Sequence, residues 1–105
     1  MDNKINEDLR KFVEERNWDQ FHTLENLAKS ISIESGELLE CFQWGQPVDS
    51  TDIQHELADV LTYAFLMCQR LGVSPETIIS QKLEITKAKY PIEKSYGSST
   101  KYNRT

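Results

Sequence analysis

The sequence predicts an all-α protein, and three observations predict it. Apolar residues recur at intervals of three and four along four separate stretches. Residues that start and stop helices fall at the ends of those stretches. No run alternates apolar and polar residues as a half-buried strand does.

The first stretch, from Asn3 to Arg16, brings Ile5, Leu9, Phe12 and Val13 to one face. A non-periodic aromatic segment follows, Asn17-Trp18-Asp19-Gln20-Phe21-His22. Thr23 offers a hydroxyl N-cap for a second helix, expected to continue to Trp44, where Gly45 and Pro47 end it. The link from Gln46 to Ser50 is polar, and Thr51-Asp52-Ile53-Gln54 has the form of a capping box that starts a third helix. Gly72 closes that helix after Leu71. Ser74-Pro75-Glu76 supplies an N-cap, a first-turn proline and an acid for the fourth helix, and Tyr90-Pro91 stops it. Short links between long helices predict antiparallel neighbours. From Lys94 to Thr105 the chain is polar and has no helical period, which divides it into a helical domain over residues 1–93 and a polar tail over 94–105.

With 105 residues there is room for one core. No apolar run approaches the roughly 18 residues of a membrane span, and Met1-Asp2-Asn3-Lys4 has no apolar segment of the secretory kind. A cytoplasmic protein is expected. Cys41 and Cys68 fall within apolar helical patterns, as free thiols in a reducing compartment do, and neither has a partner at zinc-site spacing. The net charge of −5 disfavours a long nucleic-acid partner, which wants a clustered positive surface. It leaves room for a nucleotide if divalent cations reverse the local sign.

The informative residues are acids beside the core. The second helix has an apolar stripe of Leu24, Leu27, Ile31, Leu38 and Phe42; Glu34 lies on its flank, Glu37 just beside it, and Glu40 points away. The third helix repeats the arrangement. Its stripe is Ile53, Leu57, Val60, Leu61, Ala64 and Leu71, with Glu56 on the shoulder, Asp59 next to it and Tyr63 one turn beyond. Glu-x-x-Glu pairs are common on solvated helices and either alone is ordinary. Two pairs on adjacent helices converge four carboxylates, an arrangement that repels itself unless a cation intervenes. All-oxygen ligands favour magnesium, with manganese as a substitute, over zinc.

Glu34-Ser35-Gly36-Glu37 and Glu56-Leu57-Ala58-Asp59, with 18 residues between them, resemble the Glu-x-x-Glu and Glu-x-x-Asp motifs of the MazG-like all-α nucleotide pyrophosphohydrolases. The resemblance is to the dCTP pyrophosphatase branch. It extends through Glu15 to Thr23, Glu34 to Trp44, Glu56 to Tyr63, Lys82 to Pro91 and Gly97 to Tyr102, in that order. Two departures stand out. Thr86 occupies a position where the family often has Asn, keeping a hydroxyl without the amide's paired donor and acceptor. His22-Thr23-Leu24-Glu25-Asn26 lacks the proline and basic residue of the family's His-x-Pro-basic-Asn.

The resemblance implies a four-helix bundle of the MazG-like type, assembled as a dimer or a dimer of dimers. Magnesium would be held by Glu34, Glu37, Glu56 and Asp59, which are also the catalytic residues. The substrate would be a nucleoside triphosphate, dCTP or a modified pyrimidine deoxynucleotide, converted to monophosphate and pyrophosphate. Trp18, Trp44, His22 and Tyr63 match positions near the nucleotide, Lys82 matches a phosphate-facing lysine, and Thr86 follows it. On their own chemistry some of these read differently. Trp44 serves equally as a core or interface anchor, His22 as a structural hydrogen-bonder, and Tyr63 as packing. Two alternatives remain: the same fold acting on dUTP or phosphoribosyl-ATP, and a non-catalytic helical interaction module.

Overall fold

The structure, a computed structural model, describes residues 3–104. Met1, Asp2 and Thr105, on which parts of the N-terminal and tail expectations fall, lie outside the described residues. The helices are α1 (Asn3–Glu15), α2 (Leu24–Glu40), α3 (Ser50–Leu71), α4 (Pro75–Lys89) and the short α5 (Ile92–Ser95), with 3-10 turns at Asp19–Phe21 and Tyr102–Arg104. No strand occurs among the described residues. The all-α expectation holds.

The chain forms two compact units, Met1–Val73 and Ser74–Thr105. In the first, α1 ends on Asn17, which adopts φ 52°, a left-handed conformation that Asn tolerates better than most residues. The Asn17 amide donates to the Glu14 carbonyl and the Trp18 amide to that of Val13, so the last carbonyls of α1 are satisfied as the chain reverses. The Asn26 side chain then donates to the Phe21 carbonyl, tying the 3-10 turn to the start of α2. Thr23 caps α2 by accepting from the Asn26 amide, as expected.

Helices α2 and α3 run antiparallel. Leu27, early in α2, meets Leu66, late in α3, and both pack with Val13 of α1. Leu9, Tyr63 and Met67 border this small core. Leu27 is only 1% exposed, a burial that stabilises by about 1.5–3 kcal/mol. Gly72 closes α3 at φ 72°, with the Val73 amide reaching back to the Cys68 carbonyl.

Three expectations are corrected. Helix α2 stops at Glu40, four residues short of Trp44. The amides of Cys41, Phe42 and Gln43 donate three residues back, so the last turn tightens before Gly45 at φ 66°. Helix α3 starts at Ser50, capped by Asp49, whose Oδ1 accepts from the Thr51 amide at 2.8 Å. Gln54 bonds the Ser50 hydroxyl, so the capping box does not form; a carboxylate at the N-terminus also suits the helix dipole. The apolar stripes are less buried than expected. Leu24, Phe42, Leu57, Leu61 and Leu71 are exposed, because α1 covers only the part of the α2–α3 pair around Val13.

In the second unit α4 begins as expected, with Ser74 accepting from the Thr77 amide and Pro75 in the first turn. After Pro91 the chain forms α5, and Tyr102 returns to the end of α4. Its ring meets that of Tyr90 edge-on at 5.9 Å, with the Lys89 ammonium 4.9 Å from its centre. No helix among the described residues is long and apolar enough to cross a membrane.

Candidate functional site

The antiparallel register that joins Leu27 to Leu66 also brings the middle of α2 to the first half of α3. Seven residues beyond Leu27, on the same side of α2, is Glu34; seven before Leu66, on the same side of α3, is Asp59. One carboxylate oxygen from each of Glu34, Glu37, Glu56 and Asp59 lies within 4.8 Å of all the others. It is the only such cluster of metal-ligating side chains among the described residues. Glu34 and Glu56 are half-buried, whereas Glu37 and Asp59 are exposed.

The electrostatics are strained. Oε2 of Glu34 and Oε2 of Glu56 are out of reach of solvent and have no hydrogen-bond partner. None of the four acids forms an ion pair with a cation among the described residues. Glu34 is held above the ordinary carboxylate range, first because a proton there would bridge to Glu37, then by desolvation and the charges of Glu37, Asp59 and Glu56. Glu56 is raised chiefly by desolvation, then by Glu37 and Asp59. Orphaned, partly buried carboxylate oxygens converging at this spacing fit a hard divalent cation, which would satisfy them and cancel their repulsion. The cluster can bind a metal.

The other candidate residues are distributed more widely. Tyr63, one turn past Asp59, is half-buried against the core. Trp18 packs its edge on Phe12 at 5.5 Å and stays 43% exposed, while Trp44, in the turns after α2, is 76% exposed. His22 is half-buried and lines a cavity of about 330 Å³ in the first unit. Lys82 and Thr86 belong to the second unit. They sit one turn apart beside Ile78, Ile79 and Leu83, and the Thr86 hydroxyl donates to the Lys82 carbonyl at 3.1 Å. Cys68 is buried and Cys41 half-buried, both as free thiols. Desolvation pushes both thiols up, Cys41 further through the charges of Glu56 and Asp52, which keeps them protonated.

The MazG-like family model matches residues 29–104, a span that contains all four acids. The chain belongs to the MazG-like family. Among its relatives, dCTP pyrophosphatase 1 of Rattus norvegicus is 36% identical over 110 residues and that of Homo sapiens 34% identical over 110 residues. Each alignment covers 91% of this chain and 65% of the relative, so the chain spans about two thirds of the length of these curated relatives. The crystal structure of a pyrophosphatase from Archaeoglobus fulgidus is 37% identical, with a TM-score of 0.79 over 85% of this chain and 91% of that one.

A feature of this MazG-like chain with no clear sequence signature is the cavity beside His22. Its floor is Val13 and Leu66; its walls are Arg10 and Glu14 of α1, Asp19 of the 3-10 turn, and Gln69 and Arg70 of α3. The signal was faint. Arg10 and Glu14 stand one turn apart and read as ordinary solvated charges.

Proposed function

We propose that the chain is a metal-dependent nucleoside triphosphate pyrophosphohydrolase that converts dCTP, or a modified pyrimidine deoxynucleotide, to the monophosphate and pyrophosphate. The carrying observation is the cluster of Glu34, Glu37, Glu56 and Asp59, whose orphaned oxygens ask for a cation. The names of the relatives, dCTP pyrophosphatase, and of the structural neighbour, a pyrophosphatase, support the same chemistry.

Magnesium, or manganese in its place, would be held by these four carboxylates and would withdraw charge from the phosphate oxygens while making water a better nucleophile. The chain's own residues do the rest. One of the glutamates accepts a proton from a water that adds to phosphorus in line with the departing pyrophosphate, whose bridging oxygen keeps the bonding pair. The resemblance makes Lys82 the phosphate-facing lysine, a point charge, with Thr86 one turn further along α4. Trp18 and Trp44 keep large aromatic surface in solvent, as suits stacking on a base, with His22 and Tyr63 beside the nucleotide.

The working form is a homodimer or homotetramer in the cytoplasm. Exposed Ile33, Leu39, Leu57, Ile79 and Leu83 support assembly, since a solitary chain would leave this much apolar surface in water. The acidic charge supports a nucleotide rather than a nucleic-acid polymer or a membrane as partner.

The test is pyrophosphate release from each common dNTP and NTP and from 5-substituted dCTP, with magnesium, manganese or chelator. Metal-dependent release with monophosphate as co-product is expected, fastest on a cytosine deoxynucleotide. No turnover with either metal on any of them sinks this reading and favours a helical interaction module.

A further inference from the structure

Trp18 sits on the turn that follows α1, and that turn is fixed from both sides. Asn17, in the left-handed region at φ 52°, reverses the chain. The Trp18 amide donates to the Val13 carbonyl at 3.0 Å, and the Gln20 side chain to the Asn17 carbonyl at 3.0 Å. Asp19 faces Arg70 of α3 at 3.8 Å, and the Asn26 side chain donates to the Phe21 carbonyl at 2.9 Å. With the backbone held, the side-chain torsions of Trp18 are what remains to be fixed.

Phe12 restricts them. Its ring meets the indole at 5.5 Å between centres and 79° between planes, an edge-to-face contact. Such a contact occupies at most one face of the indole, so another stays open, and Trp18 is 43% exposed. Phe12 is itself held. The Arg16 guanidinium lies 3.9 Å from its ring centre, and Arg16 Nη1 donates to the Phe12 carbonyl at 3.0 Å. Phe12 is 44% exposed and is not one of the core residues Val13, Leu27 and Leu66, so burial is not what places a ring there. The result is a chain of contacts, guanidinium to phenyl to indole, whose last member is open to solvent.

We propose that Phe12 and Arg16 are positioning residues for substrate binding: Phe12 holds the Trp18 indole in the orientation that receives the base, and Arg16 holds Phe12. The inference rests on the base stacking at Trp18 proposed above, and adds what makes that stacking strong. A loose indole would lose its side-chain freedom each time a nucleotide binds; one already packed against a fixed ring loses less. Stacking accepts the face of any base, so the advantage is the same across nucleotides. It acts on binding and has no part in the step at phosphorus, so it belongs in KM and not in kcat.

The experiment measures kcat and KM for dCTP and dUTP with magnesium in the wild-type protein, Phe12→Leu, Phe12→Tyr, Arg16→Met, Trp18→Ala and the double variant Phe12→Leu/Trp18→Ala. Fluorine NMR of 5-fluorotryptophan-labelled protein titrated with dCMP reads binding at Trp18 without turnover. Phe12→Leu is expected to raise KM about three- to tenfold for both nucleotides, the cost of ordering one side chain, with kcat nearly unchanged. Phe12→Tyr keeps the ring and should restore the wild-type KM, and Arg16→Met should raise it by less than Phe12→Leu. In the Trp18→Ala background Phe12→Leu should change nothing further, an outcome that a merely structural role does not produce. An unchanged KM in Phe12→Leu, or the same rise in both backgrounds, overturns the positioning role and leaves the hydrolase reading standing. If Phe12→Leu does not fold, Arg16→Met with and without Trp18→Ala decides by the same criteria. A protein that hydrolyses nothing removes the hydrolase reading, and the Trp18 resonance then decides. A dCMP shift that weakens in Phe12→Leu upholds the positioning role; no shift, or an equal one, overturns it.

Discussion

Met1–Val73 and Ser74–Thr105 are both helical yet carry opposite charge. In the first unit six Lys and Arg stand against fourteen Asp and Glu, a balance of −8; in the second six stand against three, a balance of +3, and together they give the −5 of the chain. The acids of the first are also crowded, four of them converging, two half-buried and two exposed. The cations of the second are dispersed along α4 and the segment after it. The modest net charge thus conceals one unit that a divalent cation should stabilise and another that has no such need. It follows that charge removal should have opposite consequences for activity and for stability in the first unit, and consequences for activity alone in the second.

The strongest way to break that contrast is Asp59→Asn. Turnover should fall on the order of 10³-fold, as when a developing charge loses its stabilising partner. The melting temperature of the metal-free protein should rise, because one like charge leaves the cluster. A fall in both, measured by pyrophosphate release and by calorimetry with chelator, would mean that the acids are structural and that the contrast is mistaken.

Next in size is packing. Leu27→Ala should cost about 2–5 kcal/mol by urea unfolding, since Leu27 is the most buried side chain of the first unit. Leu83→Ala in α4, where Leu83 is 47% exposed, should cost under about 1 kcal/mol if the chain is alone in solution. A larger, concentration-dependent loss at Leu83 would show that a second copy covers that face, and would sharpen the assembly proposed above.

How much was legible follows from the range of each interaction. Thr23, Ser74 and Gly72 act within a turn of themselves, and their helix ends stand where the sequence puts them. The pairs Glu34–Glu37 and Glu56–Asp59 needed only helical periodicity and an antiparallel register to converge. Asp49 displaced the capping box because two adjacent N-cap candidates differ by their competing bonds, which composition does not rank. Asn17 opens a non-periodic aromatic segment, yet an asparagine just past a periodic run is also a signal for a left-handed helix end, which it forms. The cavity walls were illegible for a different reason. Arg10, Asp19 and Arg70 become neighbours only when α1, the 3-10 turn and the end of α3 meet around Val13 and Leu66.

A smaller effect isolates the second unit. Lys82→Ala should lower kcat/KM about tenfold, the loss of one charge-assisted contact to phosphate, while leaving the metal-free melting temperature almost unchanged. An equal loss of stability would tie Lys82 to the fold instead.

The smallest effect is pH dependence, and its sign separates the metal-free from the metal-loaded protein. Glu34 and Glu56 are raised above the ordinary carboxylate range, by the proton bridge to Glu37 and by desolvation respectively, with Glu37 and Asp59 adding repulsion to each. A carboxyl raised in the folded state binds more protons folded than unfolded, so its stabilising contribution is full below the unfolded pKa and is lost as pH rises through the folded one. Without metal, the melting temperature should therefore climb as pH is lowered from 7 toward 5. Magnesium requires the deprotonated acids, so its stabilisation should grow over the same interval as pH rises. The two melting curves converge on acidification and part toward neutrality, and Asp59→Asn should shrink the gap at pH 7 by weakening the site. A metal-free protein that loses stability from pH 7 to 5 would instead place its dominant acids in favourable pairs, and the self-repelling first unit would have to be abandoned.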